Sequence, residues 1–309
     1  MQLPTTRDAL SIDERSPALS PRPEVEDDVV YKTHRRFDRA ARLFSEPGLH
    51  TLMKSRVVVV GVGGVGSFTA ESLARSGVGH ITLVDFDRVC VTNTNRQLHA
   101  MQGSIGKRKV DVMAERLRLI HPTGVVEAVP VFYNQESSEA ILEGRIDYVV
   151  DAIDNLSAKA HLIATCLRRS IPIVSSMGAA ARIDPTMVRV ADLADTYNDA
   201  FAGALRKMLR KEYDVQIAPK NPVGVSAVFS PEDVVLPSPP AYDQGEGFRC
   251  VCPGGKNGLH DCDRRARIDG TASFVTGTFG LVAASVVVRA LIAREFEQAL
   301  RDTGQAAAR

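Results

Sequence analysis

Cysteine is scarce in this 309-residue chain: Cys90, Cys166, Cys250, Cys252 and Cys262 are an odd set of five, far from the density of a secreted disulfide scaffold. A reducing compartment fits that usage, and a cytoplasmic location is expected. No C-x-x-C pair occurs, and Cys250-Val251-Cys252 has the wrong spacing for a zinc knuckle, so no zinc site is expected. An excess of one charge is also lacking. The 38 Lys and Arg residues against 37 Asp and Glu leave a formal net charge of +1, so any polyanionic partner must be held by local patches. Uninterrupted apolar runs are nearly absent. The one candidate, residues 274–293, is broken by Gly277, Gly280 and Arg289, where a membrane span needs about 20 mostly apolar residues. It predicts a buried core or subunit-interface helix, and no membrane partner is expected. Residues 1–30 carry four prolines, mixed charges and no apolar signal segment, and read as a disordered tail outside the fold.

With 44% hydrophobic residues, the chain can bury the core of one large α/β domain or two small ones. Arg56–Gly61 is a β-branched run that flows into glycines. Helical spacing follows over Ser67–Ser76, and His80–Asp85 is a second strand, which together make a βαβ unit. Lys107–Ile120 carries a helical apolar stripe ended by His121-Pro122. Val125–Val131, Asp147–Asp151, a helix over Asn155–Arg169 and a strand over Ile171–Ser175 continue the alternation. The pattern predicts a Rossmann-like, mainly parallel sheet with ligands beyond the carboxyl ends of its strands. After Ser176 it weakens to strands near Val188–Ala191 and Val223–Phe229 around a basic-faced helix, Phe201–Glu212. Residues 231–267, rich in Pro, Gly, Asp and Arg, read as a long mobile crossover, and a terminal helix is expected over about 271–296.

Gly61-Val62-Gly63-Gly64-Val65-Gly66 lies between strand and helix, so its backbone amides and the helix N-terminus can approach phosphate with no Cβ in the way. Asp85, at the end of the second strand, can accept hydrogen bonds from ribose hydroxyls. Those two features alone serve a nicotinamide dehydrogenase equally well. The next motifs separate the readings: Asp85-Phe86-Asp87, then Asn93-Thr94-Asn95-Arg96-Gln97, then Lys109, then Asp151-Ala152-Ile153-Asp154-Asn155. In this order they resemble the ThiF-like, ubiquitin-activating superfamily of adenylating enzymes. A carboxylate attacking a triphosphate brings two anions together, and cationic side chains must offset that charge.

That resemblance implies a nucleotide-binding core over about 55–176 inside an adenylating domain spanning 31–309. ATP and Mg²⁺ are the expected cofactors. Gly61, Gly63, Gly64, Gly66, Asp85 and Asp87 would line the nucleotide; Asn93, Arg96 and Lys109 would bind the triphosphate; Asp154 would position the metal. Asn95 and Gln97 are expected to brace the loop, and Lys107 and Arg108 to be a solvated helix start.

Within the superfamily the chain is more closely similar to the tRNA threonylcarbamoyladenosine dehydratases. The similarity rests on Arg36-Phe37, Ala41-Arg42-Leu43, Val89-Cys90-Val91-Thr92, Val112-Met113-Ala114-Glu115-Arg116, Ile183-Asp184-Pro185-Thr186, Val228-Phe229-Ser230 and Thr276-Gly277-Thr278-Phe279-Gly280. It implies ATP-dependent cyclisation of the modified base beside the anticodon, a tRNA partner, a homodimer and a sulfur-relay protein partner. Cys262 matches a cysteine of the family's mobile loop and is a candidate acyl acceptor. Candidate phosphate contacts are Arg35, Arg36, Arg39 and Arg42; Arg206, Lys207, Arg210 and Lys211; and Arg264, Arg265 and Arg267. Two other readings stay open: an activator of a ubiquitin-like sulfur carrier, and a NAD-binding oxidoreductase or nucleotide-sensing module without catalysis.

Overall fold

Four of the five residues in β1 (Arg56–Val60) are buried, and their side chains alternate between two cores. Val57 and Val59 face one side of the sheet with Leu73, Met113 and Phe279; Val58 and Val60 face the other with Leu162, Ile163 and Leu205. A strand buried on both faces belongs to a helix-covered parallel sheet. The computed structural model describes residues 35–238 and 269–302.

Around β1 lie β2 (His80–Val84), β3 (Val125–Val129), β4 (Tyr148–Asp151), β5 (Ile173–Ser176), β6 (Arg189–Asp192) and β7 (Val225–Phe229), in the order β3-β2-β1-β4-β5-β7-β6. All neighbours pair in parallel except β6, which runs antiparallel to β7 at one edge. Val58 sits opposite Thr82 on one side and Val149 on the other. The chain winds outward through β2 and β3, then returns past β1 to continue through β4 and β5. The order therefore reverses between β1 and β4, where a ligand crevice opens beyond the strand ends.

The helices are α1 (Asp38–Phe44), α2 (Glu46–Lys54), α3 (Gly66–Arg75), α4 (Lys109–Ile120), α5 (Gln135–Ile141), α6 (Leu156–Arg168), α7 (Ala200–Tyr213), α8 (Ser273–Leu291) and α9 (Ala293–Asp302). By length and composition α8 could cross a membrane, but Val275, Phe279, Ala283 and Val287 are buried in the core. Its glycines serve helix packing. A Cβ on Gly277 would lie 3.1 Å from the Phe68 ring, one on Gly280 would lie 2.5 Å from the Val65 carbonyl oxygen, and Thr69 donates to the Gly280 carbonyl at 3.0 Å.

The alternation read from the sequence is the alternation in the structure, with ends displaced by a residue or two. Four elements differ. The terminal helix expected over 271–296 is two, because Ile292 leaves helical geometry between α8 and α9. The pair α1 and α2 precedes the first strand, and α5 was not expected at all. The tail over 1–30, the stretch 239–267 of the expected loop, and Cys250, Cys252 and Cys262 lie outside the described residues.

Candidate nucleotide site

The glycines after β1 have different physical reasons. Gly61 has φ +90°, and a Cβ there would sit 2.6 Å from the Ala152 carbonyl oxygen, so it closes the β1–β4 crevice. A Cβ on Gly66 would collide with the Gly61 carbonyl, so that glycine lets α3 start close to the sheet. On Gly64 a Cβ would crowd Thr276 and Arg96 at 3.2 and 3.3 Å. Gly63 differs: its φ is not positive, and the nearest atom to its Cβ would be Gln97 Nε2 at 3.8 Å, an ordinary contact. Packing does not require glycine at 63; a ligand approaching the backbone would. Gly63→Ala should therefore keep the fold within about 0.5 kcal/mol yet raise the Kd for ATP by about tenfold or more. Gly66→Ala should fail to give folded protein. Urea unfolding and calorimetric titration separate the two.

Beside that loop, the carboxyl end of β2 places two acids and a lysine. Asp85 accepts the Val62 N–H at 2.7 Å and the Asp87 N–H at 2.8 Å, which fixes the glycine loop to the strand end. Lys109, the first residue of α4, is anchored by its own N–H on the Asp87 carbonyl at 3.0 Å, and its Nζ donates to Asp87 Oδ2 at 2.7 Å. The lysine side chain is 7% exposed against 34% for the aspartate. Burial, helped by the like charge of Asp87, pushes the Asp85 carboxyl up, against the pull of Lys109. For Lys109, burial opposes the charge, but Asp85, Asp87 and Asp154 together hold its ammonium above the ordinary value. The result is a fixed, buried cation beside the glycine loop.

The Asn93–Gln97 loop follows a 3-10 turn, Val91–Asn93, in which Asn93 Oδ1 accepts the Cys90 N–H at 3.0 Å. Asn93 thus shapes the loop through its oxygen. Arg96 Nη1 donates to the Thr92 carbonyl and Asn95 Oδ1, both at 2.9 Å, and its Cγ lies over the Gly64 position. Asn95 braces the loop as expected, its Nδ2 donating to the Thr271 carbonyl at 2.9 Å just before α8. Gln97 is 7% exposed, packs beside Gly63, and its buried Oε1 has no hydrogen-bond partner. A buried acceptor left without a partner, on a residue that packs beside a glycine that packing does not demand, fits a bound ligand.

After β4, the two acids of Asp151–Asp154 divide their work. Asp151 is wholly buried: its Oδ1 accepts the Ile153 N–H at 3.1 Å, and its Oδ2 accepts from Lys159 Nζ at 2.7 Å and Ser175 Oγ at 2.6 Å. Asp154 is exposed and faces the electrostatic reach of both Lys109 and Lys159. Among the described residues no group of three or more His, Cys, Asp or Glu could enclose a metal. A lone carboxylate suits Mg²⁺, which keeps phosphate oxygens and waters as its other ligands.

Two buried residues beside these are marked by no motif. Lys159, in the first turn of α6, is fully buried against Asp151. His99 is fully buried with both ring nitrogens unpartnered; burial, then the charge of Lys109, pushes its imidazole down to about 3. It stays neutral at physiological pH and adds no second cation. Lys107 and Arg108 are exposed, as expected. Arg206 is partly committed to the fold, donating to the Thr196 carbonyl at 3.0 Å, and Arg42 pairs with Asp38 at 3.0 Å.

The chain matches the ThiF family over residues 37–305. The tRNA threonylcarbamoyladenosine dehydratase of Escherichia coli (strain K12) is 42% identical over 263 residues, covering 85% of this chain and 96% of that protein. The Bacillus subtilis (strain 168) dehydratase of the same name is 46% identical over 200 residues, 65% of this chain and 76% of that one. The crystal structure of the E. coli tRNA N6-threonylcarbamoyladenosine dehydratase TcdA in complex with ATP aligns with a TM-score of 0.73 and 40% identity, covering 86% of this chain and 97% of that chain. From the strand order, the glycine loop and a match running over nearly all of the fold, the chain belongs to the ThiF family.

Proposed function

We propose that the chain is an ATP-dependent tRNA threonylcarbamoyladenosine dehydratase that activates the threonyl carboxylate as an adenylate. The observation that carries this reading is the 42% identity across 96% of a dehydratase; Arg96 beside Gly64 and the Lys109–Asp87 pair support it. Asp85 would hold the ribose with the lone pairs left after its two backbone bonds. Gly63 and the start of α3 would receive phosphate oxygens, with Arg96 and Lys109 offsetting their charge. Asp154 would hold Mg²⁺, which when bound neutralises phosphate charge.

The threonyl carboxylate attacks the α-phosphorus of ATP, and pyrophosphate leaves. The carbamoyl group of the same nucleoside then attacks the activated carbonyl; AMP departs with one carboxylate oxygen, a proton is lost, and the ring closes. This nucleophile is already tethered to its target, so its effective concentration is very high and the protein need only hold the two groups in place. The homodimer, the sulfur-relay protein partner and a cytoplasmic setting belong to the same proposal. Phe274 and Leu281, exposed seven residues apart on α8, are apolar surface that a second subunit would cover.

The test is incubation with ATP, Mg²⁺ and tRNA bearing the threonylcarbamoyl group. Nucleoside mass spectrometry should show the loss of one water per AMP formed. An unchanged nucleoside, with pyrophosphate exchange supported instead by a protein ending in Gly-Gly, would replace this reading with a carrier activator.

A further inference from the structure

The loop after β5 carries Arg182 into the interior, where it is 7% exposed and where Nε and Nη1 are buried without any acceptor. It lines a cavity of about 380 Å³ together with Asn198, Asp199, Glu232 and Asp233. The carboxylates there each accept from another group and keep further lone pairs. Asp199 accepts the Ala202 N–H at 2.9 Å, Glu232 accepts the Ile183 N–H at 3.0 Å, and Asp233 accepts from Asn198 Nδ2 at 3.0 Å. A buried guanidinium fork with no partner is costly, and its unmet donors mark where an acceptor belongs.

The surrounding charge decides what kind of acceptor. A phosphate or free carboxylate would satisfy Arg182 but would face three carboxylates of its own sign. A nucleobase is neutral and presents both kinds of group: carbonyl and ring-nitrogen acceptors for the guanidinium, N–H donors for the acids and the Asn198 carboxamide. Tyr197, the residue before Asn198, is 55% exposed, its ring steadied edge-on against Phe229 with centroids 5.5 Å apart, and it offers a flat face for stacking. The cavity lies at the same edge of the sheet as the nucleotide site: the Arg182 and Glu232–Asp233 segments follow the carboxyl ends of β5 and β7, as the Asp151–Asp154 turn follows that of β4.

We infer that the Arg182 cavity receives an unstacked nucleobase flanking the modified adenosine of the substrate RNA, which makes Arg182 a specificity-determining residue. The inference rests on the reading of the chain as a tRNA-modifying enzyme. Its consequence is that RNA sequence or structure next to the modified base is read by the protein, in addition to backbone phosphates.

The test uses the whole protein and modified anticodon stem-loops, either intact or lacking the base 5′ or 3′ of the modified adenosine. One abasic position should raise the KM of the unaltered protein for RNA by about 10- to 100-fold, the range of a good bidentate base contact, with the KM for ATP unchanged. Arg182→Gln should raise the KM for intact RNA by a similar factor and add nothing on that abasic RNA. An Arg182→Gln protein with unaltered KM, or one that loses the same factor on intact and abasic RNA, overturns the inference. The abasic series on the unaltered protein stands alone should the variant not fold: no effect at either position also overturns it. If the unaltered protein leaves every modified RNA unconverted, the functional reading itself falls, and this inference falls with it.

Discussion

Lys109→Met should lower adenylation by about 100- to 1,000-fold, the loss seen when a fixed electrostatic donor is removed from a developing anion. Lys109 is the buried cation of the nucleotide corner, held 2.7 Å from Asp87 and above its ordinary pKa by three carboxylates. Without it, Asp85 and Asp87 face a triphosphate and an incoming carboxylate with no opposing charge on that side. Lys109→Arg should not rescue, because a planar fork cannot occupy the place of a point charge packed against a single aspartate oxygen. Pyrophosphate exchange in the presence of modified tRNA reads the step, with circular dichroism to verify the fold. Exchange within about threefold of the unaltered protein would remove Lys109 from the site.

Lys159→Ala is expected to destabilise the fold by about 3–5 kcal/mol, the range for breaking a buried ion pair from one side. Both members of the Lys159–Asp151 pair are 0% exposed. Burial pulls the Lys159 ammonium below its ordinary value, and Asp151 pulls it back. Removing the lysine leaves Asp151 charged in the core with only Ser175 and the Ile153 N–H as donors. The double variant Lys159→Met with Asp151→Asn should recover much of the loss, since no unpaired charge remains. Urea midpoints measure this. A Lys159→Ala loss under about 1 kcal/mol would mean that the pair is not holding the turn that presents Asp154.

The sequence made the βαβ core legible because strands buried on both faces are short β-branched runs, and the helices between them carry a 3.6-residue stripe. Legibility failed where that signal is weak. The seven-residue α5 buries only Ser138 and Ile141 and is set by the Asn134–Ser137 capping box. The pair α1 and α2 is broken at Ser45, whose φ is +71°, and Pro47 and Gly48 stand in the first turn of α2. The break at Ile292 carries no proline or glycine.

At the candidate site, Arg96, Lys109 and Asp154 stand out in the sequence because motif order announces them. Lys159 and His99 do not, because burial of a charged or polar side chain is a property of the fold. Nothing local shows that the β4–α6 turn brings Asp151 under Lys159, or that Lys109 lies near His99. Arg182 is hidden for the same reason: one arginine in a loop looks solvated until the walls around it are seen.

Activation of the threonyl carboxylate as an adenylate has a direct isotopic test. With oxygen-18 in both carboxylate oxygens of the modified nucleoside, a single turnover should transfer one labelled oxygen to the phosphate of AMP and leave the other in the ring carbonyl. Label in inorganic phosphate beside ADP, or label lost to water with unlabelled AMP, would contradict it.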